Sequence, residues 1–407
     1  MSADVSATPP AGVASRRAAD VTTRLLGTSR RRVVLILALV AVAIFFSVAN
    51  DDQFQIVNVT MIYAIAVLGL NVLSGYAGQI SLGIAFFMGI GAYTATWLGG
   101  TPPTSPRAPV GLGLPFWIWL PAAGIVAALL GALIGPTALR LKGFYLGIVS
   151  LALVVIGVQI FKNAAFLTGG NSGRGMLPPA FGDTPINQQN DLFGIALSAG
   201  QQFFLVIAPI LALAALFVAN VMRTRAGRAF QAVRDHEVGA AIMGVNLFEA
   251  KMGAFILSSF LAGISGALFA SCNVHVDPNT WDLTLSIAFV AAIIIGGIAS
   301  VWGSLLGAIF VFALPKVLDV YSLVPATGIA GLPSGDVNTV IYGLLIIVFL
   351  LFEPAGFVGL IRRGRLLALR MSERNRKGGE PTPAAAGADP GGDAEIERTR
   401  LTAGSDA

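Results

Sequence analysis

Between residues 33 and 353 one pattern returns ten times: a nearly unbroken apolar run, at about 33–49, 55–73, 78–98, 116–138, 143–161, 201–221, 252–272, 282–299, 303–320 and 338–353. An α-helix needs about 20 mostly apolar residues to cross the hydrocarbon core of a bilayer. In lipid an unpaired backbone amide finds no water, so only helices and closed barrels span it. Runs of this length read as helices. The expected fold class is all-α: a polytopic membrane protein of about ten transmembrane helices. Composition agrees, since 12% of residues are charged, against about 25% in soluble domains. The 48 glycines suit helices that pack closely in lipid.

Lysine and arginine orient the runs. With the N-terminus inside, Arg16, Arg17, Arg24, Arg30, Arg31, Arg32, Arg140, Lys142, Arg223, Arg225, Arg228, Arg234, Lys251, Arg362, Arg363, Arg365 and Arg370 are cytoplasmic. The other side receives only Arg107, Lys162, Arg174 and Lys316. This asymmetry fits an even number of spans with both termini cytoplasmic, in the cell (inner) membrane. It also accounts for the basic balance, so no nucleic-acid partner is inferred; the surrounding partner is membrane lipid. Trp97, Trp117, Trp119 and Trp281 fall at expected outer ends and Trp302 near an inner one, where interfacial anchoring explains them. Ser47-Val48-Ala49 resembles a signal-peptide cleavage site. The long polar stretch before it and the length of the apolar run favour a retained span.

The chain divides into a basic cytoplasmic tail (1–31), a transmembrane domain (32–361) and a second cytoplasmic tail (362–407). Both tails carry too little apolar surface to fold. Within the domain lie a turn-rich outer loop at about 163–199 and a charged cytoplasmic segment at about 223–250.

The expected helix interiors hold no Asp, Glu, Lys, Arg or His. A charge at a helix centre costs about 2.5–3.5 kcal/mol on insertion scales and is kept where it acts. Its absence argues against a proton pump, a proton-coupled carrier and a voltage sensor. Sodium coupling stays open, because backbone carbonyls at broken helices can serve it. No G-x-x-x-x-G-K-[ST] loop, zinc spacing, H-E-x-x-H or G-x-S-x-G occurs. The single cysteine, Cys272, cannot form an internal disulfide, and His236 and His275 leave little for a metal site. No catalytic or metal-binding residue and no cofactor is assigned to this chain. If solute is pumped, the energy must come from another chain.

The charged segment "RTRAGRAFQAVRDHEVGAAIMGVN" reads as a helix from about Arg228 to Ile242, with Phe230, Val233, Ala240 and Ala241 near one face. Gly244 can end it in a left-handed conformation. Asn246 then offers an N-cap to the next helix, with Glu249 placed to return a bond. Such a short helix and tight turn could carry movement from a cytoplasmic partner into the seventh span; a solvated basic loop is the plain alternative.

A second irregular stretch is "LSGYAGQISLG". Glycines at 75, 78 and 83 beside Asn71, Ser74, Gln79 and Ser81 predict a kink or break near the inner half of the third span. Irregular backbone at membrane depth is tolerated where protein or a water-filled cavity covers it. Asn71, Ser74, Gly75, Gly78, Gln79 and Ser81 are therefore candidates for a translocation path, with Thr94 and Gln159 as further pore-facing polar residues. Equally, the glycines would serve packing and the polar groups would cap helix ends. Gly131/Gly135, Gly143/Gly147 and Gly303/Gly307 read as packing faces. Ser258, Ser259 and Ser265 read as bonded to their own helix.

These segments resemble permeases of the branched-chain amino acid ABC transporter family. In the charged segment the resemblance rests on Arg225, Gly227, Arg228, Ala229, Ala232, Arg234, Glu237, Ala240, Gly244, Asn246, Lys251 and Phe255. "GLNVLSGYAGQISLGIAFFMGIGAYTA" (69–95), "LTGGNSGRGM" (167–176) and "IIIGGIASVWGSLLGA" (293–308) resemble further family segments in the same order. Size and segment order resemble the LivM type of subunit rather than the shorter LivH type. The resemblance implies a permease of an importer for leucine, isoleucine and valine. Its implied partners are a second permease subunit, two ABC ATPase subunits that bind ATP and Mg, and an extracytoplasmic solute-binding protein. It also implies that the charged segment is the coupling helix, seated on an ATPase through Gly227, Arg228, Ala229, Ala232, Arg234, Glu237, Gly244 and Asn246. One position departs: the family often has histidine after "SLG", where this chain has Ile84, which implies a different specificity if that position meets the solute. The family includes urea and other amide permeases. A stand-alone channel or secondary carrier is the rival from another class.

Overall fold

The computed structural model describes residues 46, 49–100, 111–138, 144–176, 180–181, 184–185, 190–192, 195–320, 334–353, 356–360 and 362–363. The first expected span, apart from Phe46 and Ala49, lies outside the described residues, as do the tail at 1–31 and nearly all of the tail at 362–407. Residues from Val358 onward form a unit separate from the helical body that ends at Phe357.

The body begins with α1 (Asp51–Leu70), which runs on as a π-helical segment, Asn71–Tyr76. After a non-helical stretch come α2 (Ile84–Gly99), α3 (Phe116–Ala138), α4 (Phe144–Asn163) and α5 (Ala199–Val221). The charged segment forms α6 (Arg225–Asp235) and α7 (Glu237–Ile242), followed by the long α8 (Leu247–Asn273). The chain then forms α9 (Leu283–Gly296) and α10 (Val301–Ala308), a second π-helical segment at Ile309–Ala313, α11 (Leu314–Val320) and α12 (Ser334–Phe352). The described fold is that of an all-α polytopic membrane protein. Among the described residues, six helical stretches are long and apolar enough to cross a membrane: 51–76, 116–136, 145–163, 199–221, 247–273 and 301–320. Helices α2 and α9 and residues 340–349 of α12 are apolar but shorter. The third expected run starts at Ile84 rather than 78, because residues 77–83 are not helical.

Helices in lipid gain nothing from hiding apolar surface from one another, so their packing relies on close approach. Helix α8 supplies it, running between α1, α2 and α3. A Cβ at Gly91 of α2 would overlap the backbone of Gly263 in α8, and one at Gly266 would overlap the backbone of Met88. A Cβ at Gly263 would also stand 2.5 Å from the Cβ of Ala127 in α3. Two of the three expected glycine pairs pack closely: Gly131 faces Ser259, Gly135 faces Met252, and Gly303 and Gly307 lie against Gly296 and Ala292. Of the third pair, Gly143 lies outside the described residues, and a Cβ at Gly147 would meet only the Ile80 side chain, at 3.6 Å. Ser259 bonds its own helix at Phe255 O (2.9 Å). Ser265 departs from expectation, since its hydroxyl donates across to Ile62 O of α1 at 2.7 Å.

Two of the five tryptophans correct the interfacial reading. Trp281 and Trp119 are 0% and 2% exposed. Trp281 meets Phe269 edge-on at 5.4 Å, and Trp119 meets Phe116 at 5.0 Å. Both serve the core, while Trp97, Trp117 and Trp302 remain on the surface. Part of the loop after α4 is tied down. Arg174–Gly175 pairs antiparallel with His275–Val276. The buried Arg174 side chain donates from Nη1 to Leu167 O at 2.9 Å, and burial lowers the pKa of its guanidinium.

Substituting Gly91 by Val should destabilise the protein by about 1–3 kcal/mol, the usual cost of overpacking. Its thermal midpoint in detergent should fall below that of wild type, whereas Gly343→Val, where nothing lies within 4 Å of the added carbon, should unfold close to wild type.

Candidate coupling segment and broken helix

The charged segment is a bracket of two short helices fixed to the ends of α5 and α8. Helix α6 buries Gly227, Phe230 and Val233 and exposes Arg225, Arg228 and Arg234. A Cβ at Gly227 would overlap the Met222 backbone, so α6 lies directly against the end of α5. Ala229 and Ala232 pack half-buried against the same core, and Arg228 Nη1 donates to Arg223 O at 3.2 Å.

The single helix expected over 228–242 is two. His236 is extended (φ −159°, ψ 100°), and its Nδ1 accepts from Gly239 N at 3.1 Å, capping α7. A side chain that can serve as an N-cap competes with helix continuation at that point. Gly244 adopts φ +83°, as expected for a left-handed helix end. Asn246 Oδ1 accepts from Phe248 N and Glu249 N at 3.1 and 3.3 Å. The cap is therefore formed, but among the described residues no bond returns from the Glu249 carboxylate. Ala241, expected on the buried face, is exposed. Ile242 and Met243 are 80% and 84% exposed, and Val238 and Phe248 are exposed beside them. Sequence reasoning, drawn to the arginines, missed this apolar ridge; an i, i+4 pair (Val238, Ile242) with no buried counterpart was its signal.

The irregular stretch at 77–83 is the predicted break. Gly78 takes φ +69°. Backbone groups freed there find local partners: Gln79 N donates to Leu73 O (3.1 Å), Ser74 Oγ to Gln79 O (2.9 Å), and Gly83 N to Ser81 Oγ (3.3 Å). Leu82 N donates to Ser150 Oγ of α4 at 2.8 Å. These bonds are made within the protein, while Gly78 and Ile80 remain exposed.

Break and bracket touch. A Cβ at Gly78 would stand 3.3 Å from Arg234 Cα, so α6 rests against the break backbone. Gln79 Nε2 donates to Lys251 O at 3.2 Å, and Lys251 Nζ bonds Glu237 Oε1 of α7 at 2.6 Å. Gln79 Oε1 is buried with no hydrogen-bond partner among the described residues. Residues expected in two separate roles, Gly78 and Gln79 in one and Arg234 and Glu237 in the other, thus form one assembly.

The remaining candidates lie elsewhere. Asn71 is buried and fully engaged: Nδ2 donates to Ser300 O (2.9 Å) and Ser304 Oγ (2.6 Å), and Oδ1 accepts from Ala299 N (3.0 Å). It ties the first π-helical segment to the turn between α9 and α10, where Gly297 and Ala299 have φ +111° and +59°. Gly75 lies beneath it, where a Cβ would strike Asn71 Oδ1. Thr94 bonds Ile90 O of its own helix at 2.7 Å and lines an apolar cavity of about 350 Å³ between α2, α3 and α4. Gln159 is exposed on the outer face of α4.

A family model described as "Branched-chain amino acid transport system / permease component" matches residues 53–350. The chain belongs to this family. It is 28% identical over 350 residues to the high-affinity branched-chain amino acid transport system permease protein LivM of Salmonella typhimurium, covering 83% of this chain and 77% of that one. Against LivM of Escherichia coli the identity is 28% over 348 residues, covering 82% and 76%. Against the LivH permease of Salmonella typhimurium it is 24% over 315 residues, covering 76% and 95%. No solved structure matches. The bracket, the break and the Asn71 clamp all lie inside the matched region, and permease subunits of this kind are not themselves enzymes.

Substituting Asn71 by Leu keeps the bulk but leaves the Ala299 amide without its acceptor. A loss of about 1–3 kcal/mol is expected, the cost of an orphaned buried group, read as a lowered thermal midpoint of the detergent-solubilised protein.

Proposed function

We propose that this chain is one permease subunit of an ATP-driven importer that carries leucine, isoleucine and valine across the cell (inner) membrane. In this reading the chain crosses ten times, the tails at 1–31 and 362–407 are cytoplasmic, and the bracket faces the cytoplasm as well. A second permease subunit completes the membrane part. Two ABC ATPase subunits bind ATP and Mg, and a solute-binding protein delivers the amino acid from outside. The solute is the one that the LivM and LivH relatives are named for.

The observation that carries the reading is the bracket: an exposed apolar ridge whose supporting helices are bonded to both a long central helix and a broken one. An exposed cluster of large apolar side chains on a charged surface marks a protein contact. A partner pushing on Val238, Ile242 and Met243 would move α7. The Lys251–Glu237 pair and the Asn246 cap would pass that displacement to α8. The Arg234–Gly78 contact would pass it to the break. Two outputs from one input suit a device that closes one side of a path while opening the other.

The paired variant Ile242→Asp and Met243→Asp should insert normally yet lose co-purification of the ATPase subunits and ATP-dependent leucine uptake in proteoliposomes holding the full complex. Gly244→Val should also impair uptake, because a β-branched residue resists φ +83° at a cost of about 1–2 kcal/mol. Gradient-opposing uptake by the isolated chain, with no nucleotide-hydrolysing partner, would overturn the proposal.

A further inference from the structure

At the end of the body away from the bracket, a cavity of about 510 Å³ opens between α1, α8, the second π-helical segment and α11. Its volume lies within the usual range for small-molecule sites. Asp52, in the first turn of α1, and Lys316 of α11 both line it. Both are exposed, and neither makes a hydrogen bond or ion pair among the described residues. Two opposite charges therefore border one cavity without being used on each other.

The deep end is aromatic. Tyr63 stacks on Phe269 at 5.6 Å and tilts against Phe312 at 4.5 Å, with Phe289 packed behind them. Asp52 and Tyr63 stand eleven residues apart on α1, a rise of about 16 Å at 1.5 Å per residue. The charges thus mark the mouth and the rings the floor. Val311 and Phe312 reach the cavity from within the π-helical segment Ile309–Ala313. Such segments insert an extra residue into a helix and recur at functional sites. Without that insertion the two side chains would turn by about 100°, one residue of the 3.6-residue turn.

We propose that this cavity is a transit site for a zwitterionic α-amino acid with an apolar side chain, Lys316 meeting its carboxylate, Asp52 its ammonium and the Tyr63–Phe269–Phe312 floor its side chain. The proposal rests on the importer reading above and adds the place where this subunit meets the solute. The charge pattern selects against a simple anion, which Asp52 repels, and against a simple cation, which Lys316 repels. Both charges stay hydrated at the mouth, so the site holds its solute weakly, as a step in passage requires. Floor and break are joined by one stretch of chain, since the helix carrying Tyr63 runs on through the π-helical segment Asn71–Tyr76 to the non-helical residues 77–83.

The test uses the complete transporter in proteoliposomes with saturating, leucine-loaded solute-binding protein. Lys316→Met and Asp52→Asn should each lower leucine uptake by about twofold to fivefold, the upper end being that of a solvent-exposed charge contact. The ATP hydrolysis stimulated by loaded binding protein should stay within about twofold of wild type. Lys316→Arg, which keeps the charge, should restore most of the uptake. Unchanged uptake in both charge-removing variants overturns the proposal. So does parallel loss of stimulated hydrolysis, which would assign the two charges to docking of the binding protein. If the wild-type complex moves no leucine, the importer reading fails instead.

Discussion

Everything in this fold depends on how near α8 lies to its neighbours. Gly263 and Gly266 set its backbone against α2, and Gly263 faces Ala127 of α3 as well. In a bilayer, dispersion contacts and interhelical hydrogen bonds must do what burial does in water. The Ser265 hydroxyl adds such a bond by reaching Ile62 O of α1. A central helix held on three sides moves only if its neighbours move with it. The bracket joins α8 at its first residues, through the Asn246 cap and the Lys251–Glu237 pair.

The irregular backbone is concentrated at the end of α1 and between α9 and α10. Helix α1 changes to a π-helical form at Asn71–Tyr76 and then stops; α9 stops at Gly296 and resumes as α10 at Val301. Each interruption frees amides and carbonyls that lipid cannot satisfy. The protein answers with side chains: Asn71 for the second interruption, and Ser74, Ser81 and Ser150 for the first. Polar residues that the sequence marks as exceptional are thus largely spent on the backbone.

Much of this was readable in advance, and the limits are instructive. The apolar runs located the helices, and α3 matches its expected range, 116–138. Gly244 and Asn246 announced the turn into α8 because their chemistry is local: a residue free of Cβ and a short acceptor side chain. The break at 77–83 was legible for the same reason. What stayed hidden depends on distant partners. Asn71 binds Ser300, 229 residues away, and no local pattern announces that. The burial of Trp119 and Trp281 follows from which neighbours surround a helix end, not from where that end falls. The π-helical segments have no composition of their own. The apolar ridge on α7 was overlooked because Ala241, Ile242 and Met243 look like core residues until the helix is seen to be two.

The Asn71 amide spends its donors and its acceptor on the turn between α9 and α10 and on Ser304 at the start of α10, so the two interrupted helices share one yoke. Neither can swing alone without tearing three bonds at once. Any alternation of access must therefore carry the Asn71–Tyr76 and Gly297–Ser300 regions as one rigid piece, with the hinges lying outside it.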